Sequence, residues 1–155
     1  MTKIRKPNAA TESVAEEWLR RHLCYEVGMM RQLLPVLAHS PPSQFERNIH
    51  IECFHLHARN LIEFFKNKDP CDIDPRRFTK PSYQPDGNFI DKDLEARINQ
   101  QISHLTSNRV GAKQLGPSDW RKISATIEAE IARFEKHLTK DAEGHWRLGL
   151  SDMGL

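Results

Sequence analysis

At 155 residues, 38% hydrophobic and 28% charged, the chain has the size and balance of one globular domain able to bury a core without cross-links, which excludes disordered and collagen-like classes. A formal charge of +2 demands neither nucleic acid nor an anionic membrane as partner, and no apolar run approaches the ~20 residues of a membrane span. The cysteines Cys24, Cys53 and Cys71 are odd in number and lack CxxC spacing, against both a disulfide framework and a zinc knuckle. The basic start, Met1 to Asn8, leads into Thr11, Glu12, Ser13 and Glu16 rather than an apolar stretch, so the expected location is cytoplasmic.

Capping residues from Asn8 to Ser13 precede Val14, Trp18, Tyr25, Met29, Leu33 and Val36, which fall mostly three or four residues apart and predict a long amphipathic helix. Pro35 is expected to kink or end it, because a proline ring removes an amide donor and crowds the preceding turn; Pro41 and Pro42 stop it. Ser43 caps a second helix, free of Gly and Pro from Gln44 to Lys66. On it Phe54, Ala58, Leu61, Ile62, Phe64 and Phe65 share one side, while Phe45, Ile49 and Leu56 lie elsewhere around the circumference. Such all-round apolarity predicts a central, buried helix.

From Asp69 to Asn88 the residues Pro70, Pro75, Pro81, Pro85 and Gly87 predict a long connection. Asp91 caps a third helix bearing Leu94, Ile98, Ile102 and Leu105; Gly111 and Gly116 follow it, and Pro117 opens a fourth with Trp120, Ile123, Ile127, Ile131, Phe134 and Leu138. Gly144, Gly149 and Gly154 interrupt the remainder and predict an extended segment. The expectation is therefore all-α: an up-down four-helix bundle with a long Pro-rich loop between the second and third helices. Its helices cover about 11–38, 43–67, 91–107 and 117–138, in a single domain ending in a docked or flexible tail, 139–155.

Eight histidines invite a metal reading, and three of them, His50, His55 and His57, share the second helix. Seven residues separate His50 from His57, so these two share a face with Phe54, Leu61 and Phe64, whereas His55 falls on the polar side with Glu52, Arg59 and Glu63. No HxxxH or HExxH pair occurs, so no metal and no cofactor are expected, and His57 and His50 read as core histidines bonded to a neighbouring helix. On the third helix, Arg97 and His104 project from one face beside the apolar stripe, flanking the core at an exposed position. A planar cationic fork and a group that titrates near neutrality are the minimum for cleaving RNA through its own 2′-hydroxyl. In that chemistry His104 is expected to act as general acid or base and Arg97 to stabilise the charge building on phosphorus.

The segment Arg97-Ile-Asn-Gln-Gln-Ile-Ser-His104 resembles the Rx4–6H motif of the HEPN superfamily of helical domains, which includes RNase toxins, defence nucleases and non-catalytic nucleic-acid or nucleotide binders. His57-Ala-Arg-Asn-Leu-Ile-Glu-Phe-Phe65 together with His104-Leu-Thr106 is similar to uncharacterised bacterial proteins with an HARNLI(D/E)FF…AHLT pattern. The resemblance implies a metal-independent endoribonuclease of the toxin or defence type, with RNA and an antitoxin or defence-system protein as partners. The alternative it carries is a non-catalytic RNA- or nucleotide-binding, or protein-interaction, bundle. Ile98 stands where many active members have a polar residue.

Along a helix Arg97 and His104 stand ~10 Å apart and lean the same way, so one chain closes the gap poorly. Two copies pairing their third helices antiparallel bring Arg97 of one toward His104 of the other, which predicts a homodimer. His57, Arg59 and Asn60 are expected to support the same cleft from the second helix, and Arg109 to contact RNA backbone.

Overall fold

The computed structural model describes residues 12–39, 43–69, 72–103 and 114–155 and is all-α. Its helices are α1 (Glu12–Trp18), α2 (Cys24–Ala38), α3 (Gln44–Lys66), α4 (Lys92–Ser103), α5 (Pro117–His137) and α6 (Lys140–Asp152). Among the described residues no helix is long and apolar enough to cross a membrane. The start of the first predicted helix at residue 11, Pro41, Pro42, Pro70, Cys71, Leu105, Gly111 and the side chain of Ile102 lie outside the described residues.

α1 and α2 form one rod interrupted by a π-turn, Leu19–Leu23, in which the Cys24 N–H reaches back to the Leu19 carbonyl. A π-turn inserts one residue and rotates everything after it. The buried stripe is Ala15, Leu19, Leu23, Val27, Met30, Leu33 and Leu37, while the predicted Val14 (53%), Tyr25 (43%) and Val36 (41%) are exposed. Of the expected stripe Leu33 is buried and Trp18 and Met29 pack against the core, so the misses are Val14, ahead of the insertion, and Tyr25 and Val36, beyond it. Pro35 does not end the helix, which runs to Ala38: so near the C-terminus the ring disturbs only the last turns, and His39 Nδ1 lies 2.8 Å from the Pro35 carbonyl.

α3 begins where Ser43 Oγ accepts the Glu46 N–H at 3.1 Å and ends at Asn67, whose left-handed backbone (φ 46°) returns its N–H to the Glu63 and Phe64 carbonyls. Its C-terminal half buries Phe54, Ala58, Leu61, Ile62 and Phe65. The expectation of all-round burial does not hold: Phe45 is 74% exposed, and Ile49 and Leu56 also face outward, because the neighbouring helices leave part of the circumference of α3 uncovered.

Directions follow from paired residues. Glu26 on α2 meets His57 on α3, and the two helices run antiparallel through the short link between them. α3 and α5 run parallel, His55 meeting Trp120 and Phe65 meeting Phe134. α4 returns along α3, Lys66 pairing with Glu95. Phe134 is the aromatic centre, with Phe64, Phe65, Tyr83 and Trp146 in edge-on contact at centroid distances of 5.6–5.8 Å, each pair adding roughly 0.5–1.5 kcal/mol beyond area burial.

Residues 72–91 form a docked strap carrying one 3-10 turn, Pro75–Arg77. Lys80 donates to the His137 carbonyl (2.7 Å) and Thr139 to the Phe78 carbonyl (2.9 Å), and Phe78, Tyr83 and Ile90 enter the core. The extended tail expected over 139–155 is instead helix α6, capped by Thr139, whose Oγ1 accepts the Ala142 N–H at 3.3 Å. One of the glycines that suggested extended chain serves packing: a Cβ on Gly149 would stand 2.5 Å from the Arg20 carbonyl and 2.5 Å from Cys24 Sγ, so only glycine lets α6 lie against the π-turn.

Candidate functional site

Arg97 is held down by its own helix, since Leu94 and Ile98 on either side of it are core residues. Its side chain is 12% exposed, and its fork is engaged: Nη1 donates to Asp119 Oδ1 (3.3 Å), and Nη2 to Asp119 Oδ2 (3.0 Å) and the Gln114 carbonyl (3.3 Å). Asp119 sits in the first turn of α5 and also accepts the Gly116 N–H at 3.0 Å. The expectation of an exposed arginine is thus corrected: the guanidinium clamps α4 to the start of α5, where a carboxylate favours the helix N-terminus. His104 and Arg109 lie outside the described residues.

The supporting trio does not join Arg97. His57 turns toward α2, with Nδ1 2.7 Å from Glu26 Oε2; Asn60 Nδ2 donates to the same oxygen at 3.1 Å; Arg59 pairs with Glu63 on the surface at 2.8 Å. Helix geometry supplies the reason. At ~100° per residue, seating His57 against α2 swings His55 ~200° away, toward α4 and α5. His55 is accordingly not on a solvated face but 1% exposed.

α3 thus presents Asn48, Ile51, Glu52 and His55 to α4. With Gln101 of α4 and with Gln114 and Leu115, which lead into α5, they line a cavity of about 250 Å³. His55 and Leu115 are buried, Ile51 and Gln101 half-buried, and Asn48, Glu52 and Gln114 stand at the rim. The Trp120 indole N–H donates to His55 Nε2 at 3.1 Å. Burial pushes the imidazole down to about 4, so the ring is neutral and, with Nε2 accepting, carries its proton on Nδ1. Gln101 Nε2 is buried without a hydrogen-bond partner among the described residues. Such an orphan amide costs about 1–3 kcal/mol unless something satisfies it.

Gln101 follows Arg97 by four residues, so the cavity opens on the motif face of α4. One turn before Ile51, Arg47 is half-buried and makes no ion pair among the described residues. No group of three or more His, Cys, Asp or Glu among the described residues is placed to hold a metal. Sequence reading placed His55 and Glu52 among surface polar residues and passed over Asn48, Gln101 and Gln114. The one available signal was Gln101, inside the Arg97–His104 interval and four residues from Arg97. Comparison of the chain with protein-family models, curated proteins and solved structures returns no match.

Proposed function

We propose that the chain is a HEPN-like, up-down four-helix domain, built from the α1–α2 rod, α3, α4 and α5 with α6 added, which binds RNA or a free nucleotide by its base in the α3–α4–α5 cavity. The carrying observation is the cavity of about 250 Å³ on the motif face of α4, where the polar side chains of Asn48, Glu52, Gln101 and Gln114 meet apolar Ile51 and Leu115. Recognition is favoured over cleavage because the Arg97 fork is engaged by Asp119 and would have to leave a carboxylate to reach a phosphate. The ribonuclease reading rests on His104, and the resemblance behind both readings also implies a two-fold homodimer.

Fluorescence anisotropy with labelled single-stranded RNA in EDTA tests this. Wild type should bind and leave the RNA intact, and Gln101→Leu should weaken binding about tenfold. Absence of binding, or binding indifferent to Gln101→Leu, would refute the assignment. Cleavage that disappears in His104→Ala would establish the ribonuclease instead, and a strict monomer on sedimentation would remove the dimer.

A further inference from the structure

Phe45, Ile49, Glu52, Leu56, Arg59 and Glu63 follow one another along α3 at alternating intervals of four and three residues. That 3.5-residue repeat keeps them in a single seam, the spacing by which two helices interlock their side chains. The fold leaves the seam uncovered. His57 faces α2, His55 faces α4 and α5, and Ala58, Leu61 and Phe65 on the far side are buried in the core. Phe45 (74%), Leu56 (44%) and Ile49 (40%) are exposed along the seam, with exposed Glu52 between them. Tyr25 and Val36 share one exposed stripe of α2, and the Tyr25 ring stands edge-on to His57 at 5.5 Å, next to α3. Most of the large hydrophobic side chains exposed among the described residues therefore gather on α2 and α3, and such clustering marks a surface for association.

We propose that the occupant of this seam is α3 of a second copy, packed antiparallel across a two-fold axis. The proposal gives a surface to the homodimer named above, on which it rests, and is independent of what the cavity binds. The charges select the occupant. Glu52 precedes Arg59 by seven residues, so one seam carries opposite charges two turns apart. In a parallel pair each would meet its own kind. In an antiparallel pair centred at about residue 54, Arg59 of each copy stands within about 5 Å, measured along the axis, of Glu52 of the other. The same register seats Leu56 of each copy between Ile49 and Leu56 of the other, and the symmetry makes every contact twice. Arg59 pairs with Glu63 on its own helix at 2.8 Å, whereas Glu52 has no ion pair among the described residues and is the charge that a second copy neutralises. Two glutamates in the seam disfavour an anionic lipid surface as the occupant.

Sedimentation velocity of the RNA-free protein at micromolar concentration tests the seam, and the wild type should be dimeric. Ile49→Glu, an exposed position at which folding is checked by helical circular dichroism, should weaken association about a hundredfold by setting a charge among the apolar contacts. Glu52→Arg and Arg59→Glu should each weaken it about tenfold, because each sets like charges side by side. The double variant Glu52→Arg/Arg59→Glu should restore the dimer, a rescue that neither a parallel pair nor an unrelated face can give. A monomeric wild type overturns both the seam and the homodimer. A dimer indifferent to Ile49→Glu, or single reversals that the double variant fails to rescue, overturns the seam and leaves the homodimer to another face.

Discussion

Trp120 donates its indole N–H to Nε2 of His55 across 3.1 Å, and that bond fixes which nitrogen of a buried ring carries the proton. Burial holds the folded-state value at about 4 against an ordinary 6.5. Between these values the unfolded chain takes up a proton that the folded chain refuses. The stability associated with His55 is therefore complete above about pH 6.5 and falls, by on the order of 3 kcal/mol, as pH drops through that interval. Urea midpoints should decline across it for the wild type and decline less for His55→Gln. Identical slopes would show that the ring is not held neutral.

The Arg97–Asp119 clamp predicts energetic coupling. Each carboxylate oxygen takes one arm of the guanidinium, and Asp119 in addition holds the Gly116 N–H. Arg97→Ala and Asp119→Ala should each destabilise the fold, and a double-mutant cycle should return a coupling of roughly 1–2 kcal/mol. Strictly additive losses would deny the pair any role.

Two glycines make a paired test of packing. Gly149→Ala drives a methyl into backbone and a buried thiol, with the Arg20 carbonyl and Cys24 Sγ both at 2.5 Å, and should cost about 2–3 kcal/mol. Gly28→Ala meets only the Met153 side chain, with Cε at 2.6 Å, Cγ at 2.9 Å and Cβ at 3.0 Å, so the turn carrying Met153 next to the C-terminus must shift slightly. There the gain in helix propensity, up to ~1 kcal/mol, should nearly offset the shift. Thermal melts that rank the two variants the other way would contradict the placement of α6.

The thiols differ in reach. Cys24 is fully buried and pushed up to about 12 by that burial, so at neutral pH it holds almost no thiolate, whereas Cys53 is half-exposed. Peptide mass mapping after iodoacetamide treatment should show Cys53 alkylated in the native protein and Cys24 only after denaturation. Early labelling of Cys24 would mean that α6 leaves the π-turn readily.

What the sequence displayed and what it concealed divide along physical lines. α5 was legible because nothing interrupts its period: Trp120, Ile123, Ile127, Ile131 and Phe134 are all buried as spaced. The rod of α1 and α2 was legible in extent, helical from Glu12 to Ala38 as expected, but its π-turn was not, because an inserted residue leaves no compositional mark. α6 was hidden by Gly144 and Gly149, whose low helix propensity is overridden, at Gly149 by the close approach it permits. At the candidate site, Arg97 was visible as a residue, but its partner Asp119 is contributed by a different helix, a relationship no spacing rule contains. His55 looked polar and exposed because local periodicity cannot tell a solvated face from one covered by Trp120.

The two halves of the rod on either side of the π-turn share α6, through Glu16 and His145 before it and Cys24 beyond it, but differ in their other neighbours. Ahead of it, Trp18 stacks on Phe78 of the strap (6.2 Å, 5°) and meets Phe64 at 5.4 Å; beyond it, Cys24 and Gly28 turn to α6 and Arg31 reaches Glu128 of α5. The extra residue works as a phase shift between two otherwise incompatible helical registers. Deleting one residue from Leu19–Leu23 would straighten the rod yet leave either the strap or α6 facing the wrong side of it. In descendants of this chain, the insertion and the glycine at 149 should therefore be kept or lost together.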